Sequence, residues 1–527
     1  MDDATITFIV LGAAVALFVW NRLSVGVVAV SSAIALYAAG VIDVRATFAG
    51  FGDPTVIFIA SLFVISEALD STGVTTWAGQ RLIAAAGDSD TKLTLYLLLL
   101  AGGLSAVLTP NGAVAAILPM AVLVAMRLGR APSKLLMPVA FSAHAGSLLV
   151  LTGSPVNVLV ADEAASQGVG RFGYFEFALV GVPLLLGVAG LALLLGPRLL
   201  PERRPRVLSA DLSDHARTLM SQYAISNEVL ARHEVPEQLF SRNTGVAEVV
   251  IPPRSPLIGQ SCFPGMVTDS GDLVVLAVHR EGAEMEPGEV QLAKGDTLLL
   301  EGSWEALDTH LDEEVLVVDP PDAIRRQVVA LGVGARRVIV IVAALIIVLA
   351  TGLAPPAVAG ALAAMALILT RVMSTDQLYR SIAWPALTLI AGLLPLSVAL
   401  QETGAAEDLA SVMLSIIGDA GPYALIALLF AVAALLGSAI SNTATALILI
   451  PVAVSASATM DVSVQPVLMV LTIACSAAFL TPIATPGNLM VEGPAGYRFG
   501  DYWRFGLPMM ALFFTVALVL VPLIWAF

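Results

Sequence analysis

The sequence predicts an α-helical polytopic membrane protein. It would be two inverted repeats, each of five spans plus one re-entrant hairpin, with a small α+β cytoplasmic domain inserted between them. Three observations predict this. Of 527 residues, 58% are hydrophobic and only 13% charged, with a mean hydropathy of +0.89; soluble enzymes are far more polar. The long apolar stretches fall into two sets of six, separated by one acidic stretch. Short motifs of the first set return in the second, most of them 331 residues later.

The first set lies near 4–20, 24–43, 54–70, 92–127, 135–161 and 176–196, and the second near 337–354, 356–371, 384–401, 421–458, 465–491 and 507–526. Each is long enough to span the hydrocarbon core or to enter and return. The N-terminal MDDATITFIVLGAAVALFVW has no basic region and no small-residue cleavage site, so it reads as a retained first span. The fourth stretch of each set is broken at its middle, by TPN (109–111) or SNT (441–443). Two half-length helices meeting at such a break form a hairpin that returns to the side it entered from.

The net charge is −15. Residues 201–330 carry 22 of the 41 Asp and Glu and 11 of the 26 Lys and Arg, as well as His215, His233, His279 and His310. The division is therefore 1–200, a membrane repeat; 201–335, a soluble insert; and 336–527, a second membrane repeat. Acidity suits solubility and gives no support to nucleic-acid binding. With the N-terminus outside, Arg22, Arg81, Lys92, Arg127, Arg130, Lys134, Arg198, Arg203, Arg204 and Arg206 fall in inner loops, as do Arg336, Arg337, Arg371, Arg380, Arg498 and Arg504. Only Arg45 and Arg171 fall outside. The positive-inside rule thus places the insert in the cytoplasm and both termini outside the cytoplasmic membrane. The expected outer loop after 401 carries Glu402, Glu407, Asp408 and Asp419 without a basic residue. Glu67 and Asp70 fall near the inner end of the third span, where a solvated role suffices.

An odd number of spans per half inverts the second half. The anchors of the repeat are Pro54 and Pro385, STG (71–73) and ETG (402–404), and GSPVN (153–157) and ATPGN (484–488). GVP (181–183) and GLP (506–508), and FG at 172–173 and 499–500, follow in the same order. Each half therefore has two interruptions, one at the hairpin tip and one in the fifth span. Proline removes a backbone donor and restrains the residue before it, which ends a half-helix. Unwound backbone at membrane depth is tolerated only where it is buried or lines a cavity. Half-helix N-termini suit an anion, and freed carbonyls with Ser, Thr and Asn oxygens suit a hard cation such as Na⁺. A single polar cluster in a span is more often helix–helix glue, and a single proline more often a kink. Four breaks in repeat-related positions favour a transport site.

With SNTATALILIP (441–451) followed by TPGN (485–488), the chain resembles the divalent anion/sodium symporter family of the wider ion-transporter superfamily. The resemblance covers both membrane halves. It implies homodimers, an elevator motion, and two Na⁺ sites flanking one small anionic substrate. Carried over, the first Na⁺ site would use Ser105, Thr109, Asn111, Gly153 and Asn157, and the second Ser441, Asn442, Ala484 and Asn488. Substrate would meet Asn442, Thr443, Ser154, Pro155, Thr485 and Pro486. The departure is Thr109-Pro110-Asn111 in place of the first SNT. An offset of 331 pairs Asn111 with Asn442 and needs no gap between 54 and 157. An offset of 332, which aligns Pro119 with Pro451, pairs Asn111 with Thr443. The first is preferred here.

The insert reads as short strands at 246–251, 273–280 and 296–302 with turns between them. SPLIGQ (255–260) and AKGDTLLLEGS (293–303) resemble the TrkA-C domain over about 244–318. That implies either regulation by a small ligand or a packing and dimerisation module. No GxGxxG occurs there, so no organic cofactor is expected. Cys262 and Cys475 have no Cys/His spacing for zinc. His144 is the one histidine in a span; it would be either a proton site or a neutral hydrogen-bonding group.

The leading reading is a secondary transporter, Na⁺-coupled, for a small divalent anion such as sulfate or a dicarboxylate. The alternatives are a proton-coupled or metalloid-oxyanion (arsenite-like) transporter and, less favoured, an ion channel gated by the TrkA-C domain. No TVGYG-like filter supports a channel. An enzyme is not expected, since the membrane part offers no HExxH, carboxylate pair or triad.

Overall fold

The computed structural model describes residues 2–20, 22–86, 89–127, 131–203, 244–252, 255–263, 265–268, 272–280, 283–284, 290–304, 306–307, 316–317 and 331–527. His215, His233, His310, Arg130, Arg204 and Arg206 lie outside the described residues. The chain falls into two compact units: Met1–Glu67, Arg81–Val207 and Val340–Phe527 form one, and Ala68–Gln80 with Leu208–Ile339 the other.

The protein is an α-helical membrane protein of two repeats. The first runs α1 (Asp3–Trp20), α2 (Val25–Ala38), α3 (Val44–Ala49), α4 (Pro54–Ser71), α5 (Val74–Ala86), α6 (Asp90–Ser105), α7 (Pro110–Arg127), α8 (Leu136–Gly146), α9 (Pro155–Ser166) and α10 (Ala178–Leu199). The second repeats this order: α11 (Ala335–Thr351), α12 (Pro356–Leu369), α13 (Thr375–Ser381), α14 (Trp384–Glu402), α15 (Ala405–Ile417), α16 (Gly421–Ala439), α17 (Asn442–Thr459), α18 (Val464–Ser476), α19 (Pro486–Ala495) and α20 (Tyr502–Thr515). A short α21 (Val521–Ile524) closes the chain. Among the described residues, seven helical segments are long and apolar enough to cross a membrane, and α2, α6, α7, α12 and α18 contribute shorter apolar helices.

The hairpins and the broken fifth spans stand where the motifs place them: α6–α7 and α16–α17 turn at TPN and SNT, and α8–α9 and α18–α19 break at GSPVN and ATPGN. Other elements escaped the sequence reading. The stretch after 401, expected as a loop, forms α15, and 74–86 forms its counterpart α5. Each is only 13 residues long. α15 buries Ala405, Ala406, Ala410 and Met413 while exposing Val412 and Ile416, so a search for continuous apolar runs passes over it.

The repeat anchors now have physical reasons. Pro54 is the first residue of α4, and Pro385 the second of α14, where a missing N–H costs no helical bond. Gly73 and Gly404 turn the chain out of those helices at φ +69° and +78°, a left-handed conformation that glycine adopts without strain. The glycines of GVP and GLP permit close approach: a Cβ on Gly181 would lie 2.1 Å from Leu148 O, and one on Gly506 2.3 Å from Phe479 O. Leu148 and Phe479 stand 331 residues apart, each beside the break of its own fifth span.

The interior of the membrane unit is built on α8, every residue of which is buried, and α18, buried at every residue but Gln465. Helices apolar on all sides belong in such a core. Phe141 and Phe479 from the two repeats meet at 4.6 Å between ring centroids, and Phe479 meets Phe513 at 4.8 Å. At the end of α10, Arg203 forms a two-point pair with Asp501 (2.8 and 3.0 Å), joining the repeats.

In the other unit, β1 (Thr244–Val250), β2 (Ser261–Cys262), β3 (Leu273–Arg280), β4 (Ala283–Glu284), β5 (Val290–Gln291), β6 (Thr297–Ser303) and β7 (Leu316–Val317) form two sheets. The larger has the order β4-β3-β6-β1-β7 and is antiparallel throughout; β2 pairs with β5. The three expected strands are β1, β3 and β6. Their core includes Val246, Val249, Leu276, Leu299 and Trp304. The turn before β6 is held by Arg280, whose guanidinium donates twice to the fully buried Asp296 at 2.7 Å each. Burial alone pushes the Asp296 carboxyl up, but the Arg280 guanidinium and the Ala293 N–H outweigh it and hold the group below its ordinary value.

Candidate functional site

Four half-helices begin at the four breaks, and each is capped by the hydroxyl the sequence supplies there. Thr109 Oγ1 accepts the Gly112 N–H (3.3 Å) at α7, and Ser441 Oγ the Ala444 N–H (3.2 Å) at α17. Ser154 Oγ accepts the Val156 N–H (3.2 Å) at α9, and Thr485 Oγ1 the Asn488 N–H (3.3 Å) at α19. All four ends keep the partial positive charge of the N-terminus toward the break. At α9 and α19 the first residue is a proline without an N–H, and the next N–H groups are bonded within the protein. Val156 and Asn157 donate to Ser154, Gly487 to Asn111 Oδ1 and Asn488 to Thr485 Oγ1.

The caps correct the register within the hairpins. Thr109 and Ser441 hold the same cap position and are 332 residues apart, whereas Ser154 and Thr485 keep the offset of 331. The second hairpin has one more residue before its tip, which the following turn recovers. Asn111 therefore corresponds to Thr443, and Pro110 to Asn442. The first hairpin has no side-chain counterpart of the Asn442 amide.

The two broken spans are bonded alike. Asn157 donates its amide hydrogens to Ser147 O (2.7 Å) and Val150 O (2.9 Å). Asn488 donates to Ala478 O (2.7 Å) and Thr481 O (3.2 Å). In both, the acceptors lie ten and seven residues upstream, so each amide closes the loop that the proline opened. Tip and break are joined too: Thr152 Oγ1 donates to Ala106 O and Thr481 Oγ1 to Ser438 O, both at 3.3 Å.

This bonding leaves oxygens over. Among the described residues of the membrane unit, the buried side-chain oxygens with no hydrogen-bond partner belong to Thr94, Ser105, Ser142, Asn157, Asn442, Thr445 and Asn488. All but Thr94 and Ser142 lie at the breaks. Buried polar atoms are nearly always paired, so oxygens left over together at the breaks are a place suited to a bound group that the protein itself does not supply. Gly153 belongs at this point sterically: a Cβ there would stand 2.3 Å from Ser147 O. Ala484, its counterpart, tolerates the methyl. Thr109, Asn111, Ser154, Pro155, Ser441, Asn442 and Thr443 are half-buried and Pro486 is exposed, so the tips border open space while Ser105, Asn157, Thr485 and Asn488 sit behind them.

The halves are interleaved. α7 packs against α19 of the other repeat, and α17 against α9. Asn111, expected at the first cation site, turns to the second half: its Oδ1 accepts the Gly487 N–H at 2.9 Å. Pro110 opens α7 one residue after the cap and so sets Asn111 on the face toward α19. His144, from α8, shares a buried hydrogen bond with Thr485 Oγ1 across 3.1 Å. Neither contact is legible in the sequence, because both join residues more than 300 positions apart.

A family profile described as CitMHS, citrate transporter, matches residues 15–474 and 425–527. The chain belongs to this family. Its members are transporters rather than enzymes, and this protein is an integral membrane transporter of the same type. The uncharacterized transporter YfbS of Escherichia coli strain K12 is 29% identical over 98% of this chain and 98% of its own length. The putative sulfur deprivation response regulator of Chlamydomonas reinhardtii is 26% identical over 92% of this chain and 95% of its own. Sodium/sulfate cotransporter 1 of the same alga is 26% identical over 52% of this chain, which is 32% of that protein. Among solved structures, the Alcanivorax borkumensis YdaH transporter covers 91% of this chain and 87% of its own at 15% identity, with a TM-score of 0.48.

Proposed function

We propose that this protein is a Na⁺-coupled symporter of a small divalent anion, a sulfate-like oxyanion or a dicarboxylate. The observation that carries the reading is the pair Asn157 and Asn488, identically bonded in the two repeats and each left with a buried acceptor oxygen beside a half-helix N-terminus. Ser105, Asn157 and the Gly153 carbonyl would hold one Na⁺, with Thr109 at its edge; Asn442, Asn488, the Ser441 hydroxyl and the Ala484 carbonyl would hold the other. The anion would lie between them, against the N-termini at Ser154-Pro155 and Thr485-Pro486, with Thr443 and the Asn111 amide N–H₂ as donors. Neither Lys nor Arg occurs at the four breaks, so bound Na⁺ would supply the positive charge. The sodium/sulfate cotransporters among the relatives support the same pairing of ion and substrate.

Movement would follow the elevator pattern, in a homodimer, with the interleaved hairpins and broken spans as the carrying body. The Arg and Lys distribution supports cytoplasmic placement of the insert and external termini. Reaction of a cysteine placed near Gly288, which lies outside the described residues, with an impermeant reagent in intact cells would contradict that orientation. The antiparallel sheet supports a TrkA-C-like insert, acting either through a small regulatory ligand or as a packing and dimerisation module.

A second reading is favoured by one contact. The buried His144–Thr485 bond places an ionisable ring directly behind the anion-facing N-terminus, as a proton-coupled or metalloid-oxyanion transporter would need. Uptake into proteoliposomes of labelled sulfate, succinate, citrate and arsenite, with and without Na⁺ and with and without a pH gradient, separates the two. Sodium-dependent uptake of sulfate or a dicarboxylate is expected. Uptake that ignores Na⁺ and follows the proton gradient would replace the first reading with the second.

A further inference from the structure

Thr445 departs from the commonest behaviour of threonines in these helices, and unlike Thr94, whose hydroxyl is also unpartnered, it stands at a break. Thr7, Thr351, Thr388, Thr472 and Thr515 each donate their hydroxyl to the carbonyl four residues earlier, at 2.6–2.9 Å. That local bond is the ordinary way to satisfy a helical threonine without water. Ser441 O, four residues before Thr445, accepts the Thr445 N–H at 3.0 Å, yet the Thr445 hydroxyl does not join it. Its Oγ1 is buried without a partner, in a residue that is 0% exposed. An unpaired hydroxyl in such a place is costly unless something binds it.

Gly437 shows where that oxygen lies. A Cβ added there would stand 3.4 Å from Asn442 Oδ1 and 3.9 Å from Thr445 Oγ1. Two unpartnered acceptors on the first turns of α17 thus border the same small space at the end of α16. The other hairpin carries the reverse arrangement. Four residues before its cap Thr109 stands Ser105, whose Oγ is also buried and unpartnered; four residues after it stands Ala113. In the second hairpin the position before the cap is Gly437 and the position after it is Thr445. Each hairpin has one orphan hydroxyl, on opposite arms.

We propose that Thr445 Oγ1 is a ligand of the cation bound in the second half, taking the place of the hydroxyl that Ser105 supplies in the first. The proposal rests on the sodium-coupled reading above. It assigns the second cation to α17 with its Ser441 cap and the α18–α19 break alone, through Ser441, Asn442, Thr445, the Ala484 carbonyl and Asn488. The first cation draws its hydroxyl from α6 instead. A hydroxyl offers two acceptor lone pairs and no net charge, so moving it from one arm to the other preserves the donor set while changing which helix the ion restrains.

The test uses two readouts on the full-length protein: Na⁺ activation of uptake in proteoliposomes, and stabilisation by Na⁺ against thermal unfolding, with choline as the control cation. Thr445→Val removes the oxygen at nearly constant shape; Thr445→Ala serves if the valine variant does not fold. Either is expected to raise the Na⁺ half-saturation roughly tenfold in both readouts, the scale of losing one contact to a charge. Thr445→Ser should remain within about twofold of wild type, by retaining the oxygen. Gly437→Ser combined with Thr445→Val should recover most of the loss, since it rebuilds the Ser105 arrangement in space that the glycine leaves open. An unchanged Na⁺ half-saturation in Thr445→Val, while the wild type responds to Na⁺, overturns the ligand role alone. A wild type that shows no Na⁺ response in either readout overturns the sodium-coupled reading itself.

Discussion

Asn488→Ala is expected to abolish coupled uptake while leaving the protein expressed and inserted. The side chain does two things at once. Its amide hydrogens close the break on Ala478 O and Thr481 O, and its oxygen is left as a buried acceptor. Alanine frees two buried carbonyls, each costing about 1–3 kcal/mol when unpaired, and removes the oxygen proposed above as a cation ligand. A combined loss of about 3 kcal/mol in Na⁺ binding is roughly 100-fold in affinity. Asn488→Asp distinguishes the two roles. It keeps an oxygen and adds charge but cannot donate to both carbonyls, so it should remain inactive if the loop geometry dominates. Asn157→Ala, the same change in the other repeat, should behave likewise, since its bonds are the same. Uptake by purified Asn488→Ala near the wild-type rate, with an unchanged Na⁺ half-activation, would remove the assigned site.

The second large effect concerns packing. Gly181→Ala and Gly506→Ala should each destabilise the membrane domain strongly. The added methyl would lie 2.1 Å from Leu148 O in the first case and 2.3 Å from Phe479 O in the second, with the carbonyl carbons at 2.5 and 2.9 Å. These obstacles are backbone, locked beside the breaks, and cannot swing away as a flexible side chain would. Overpacking of a tight core costs roughly 1–3 kcal/mol where side chains can adjust, and here the adjustment must come from the fifth span itself. The expected result is a clear loss of monodisperse protein and a lowered unfolding temperature in detergent, with uptake reduced in parallel. Gly190→Ala is the control, for a Cβ there meets nothing within 4 Å. Thermal stability equal to wild type in both Gly181→Ala and Gly506→Ala would show that α10 and α20 are not held against the broken spans as described.

Much of this architecture was legible in the chain because it depends on local chemistry. Long apolar runs specify helices in lipid, proline specifies where a helix must begin again, and the left-handed glycines of STG and ETG specify the turn after the third span. Repeated at a near-constant offset, these features determine two repeats, two hairpins and two broken spans without reference to any contact. The amphipathic α5 and α15 were not legible as spans, since their apolar residues cover one face only and make no continuous run.

What only the tertiary structure decided lies between residues distant in sequence. The one-residue shift at the hairpin tips is set by which hydroxyl caps which N–H, whereas the sequence favoured 331 over 332 because it needs no gap between 54 and 157. The turn of Asn111 toward Gly487, the seating of His144 on Thr485, and the packing of each hairpin against the other repeat's broken span all join segments more than 100 residues apart. The same is true of Thr445. Its sequence neighbours would satisfy its hydroxyl in any ordinary helix, and only the space beside Gly437 reveals that they do not. Composition and periodicity determine where a polar side chain sits along a helix; which of its atoms remains unpaired is determined by the neighbours that folding brings to it.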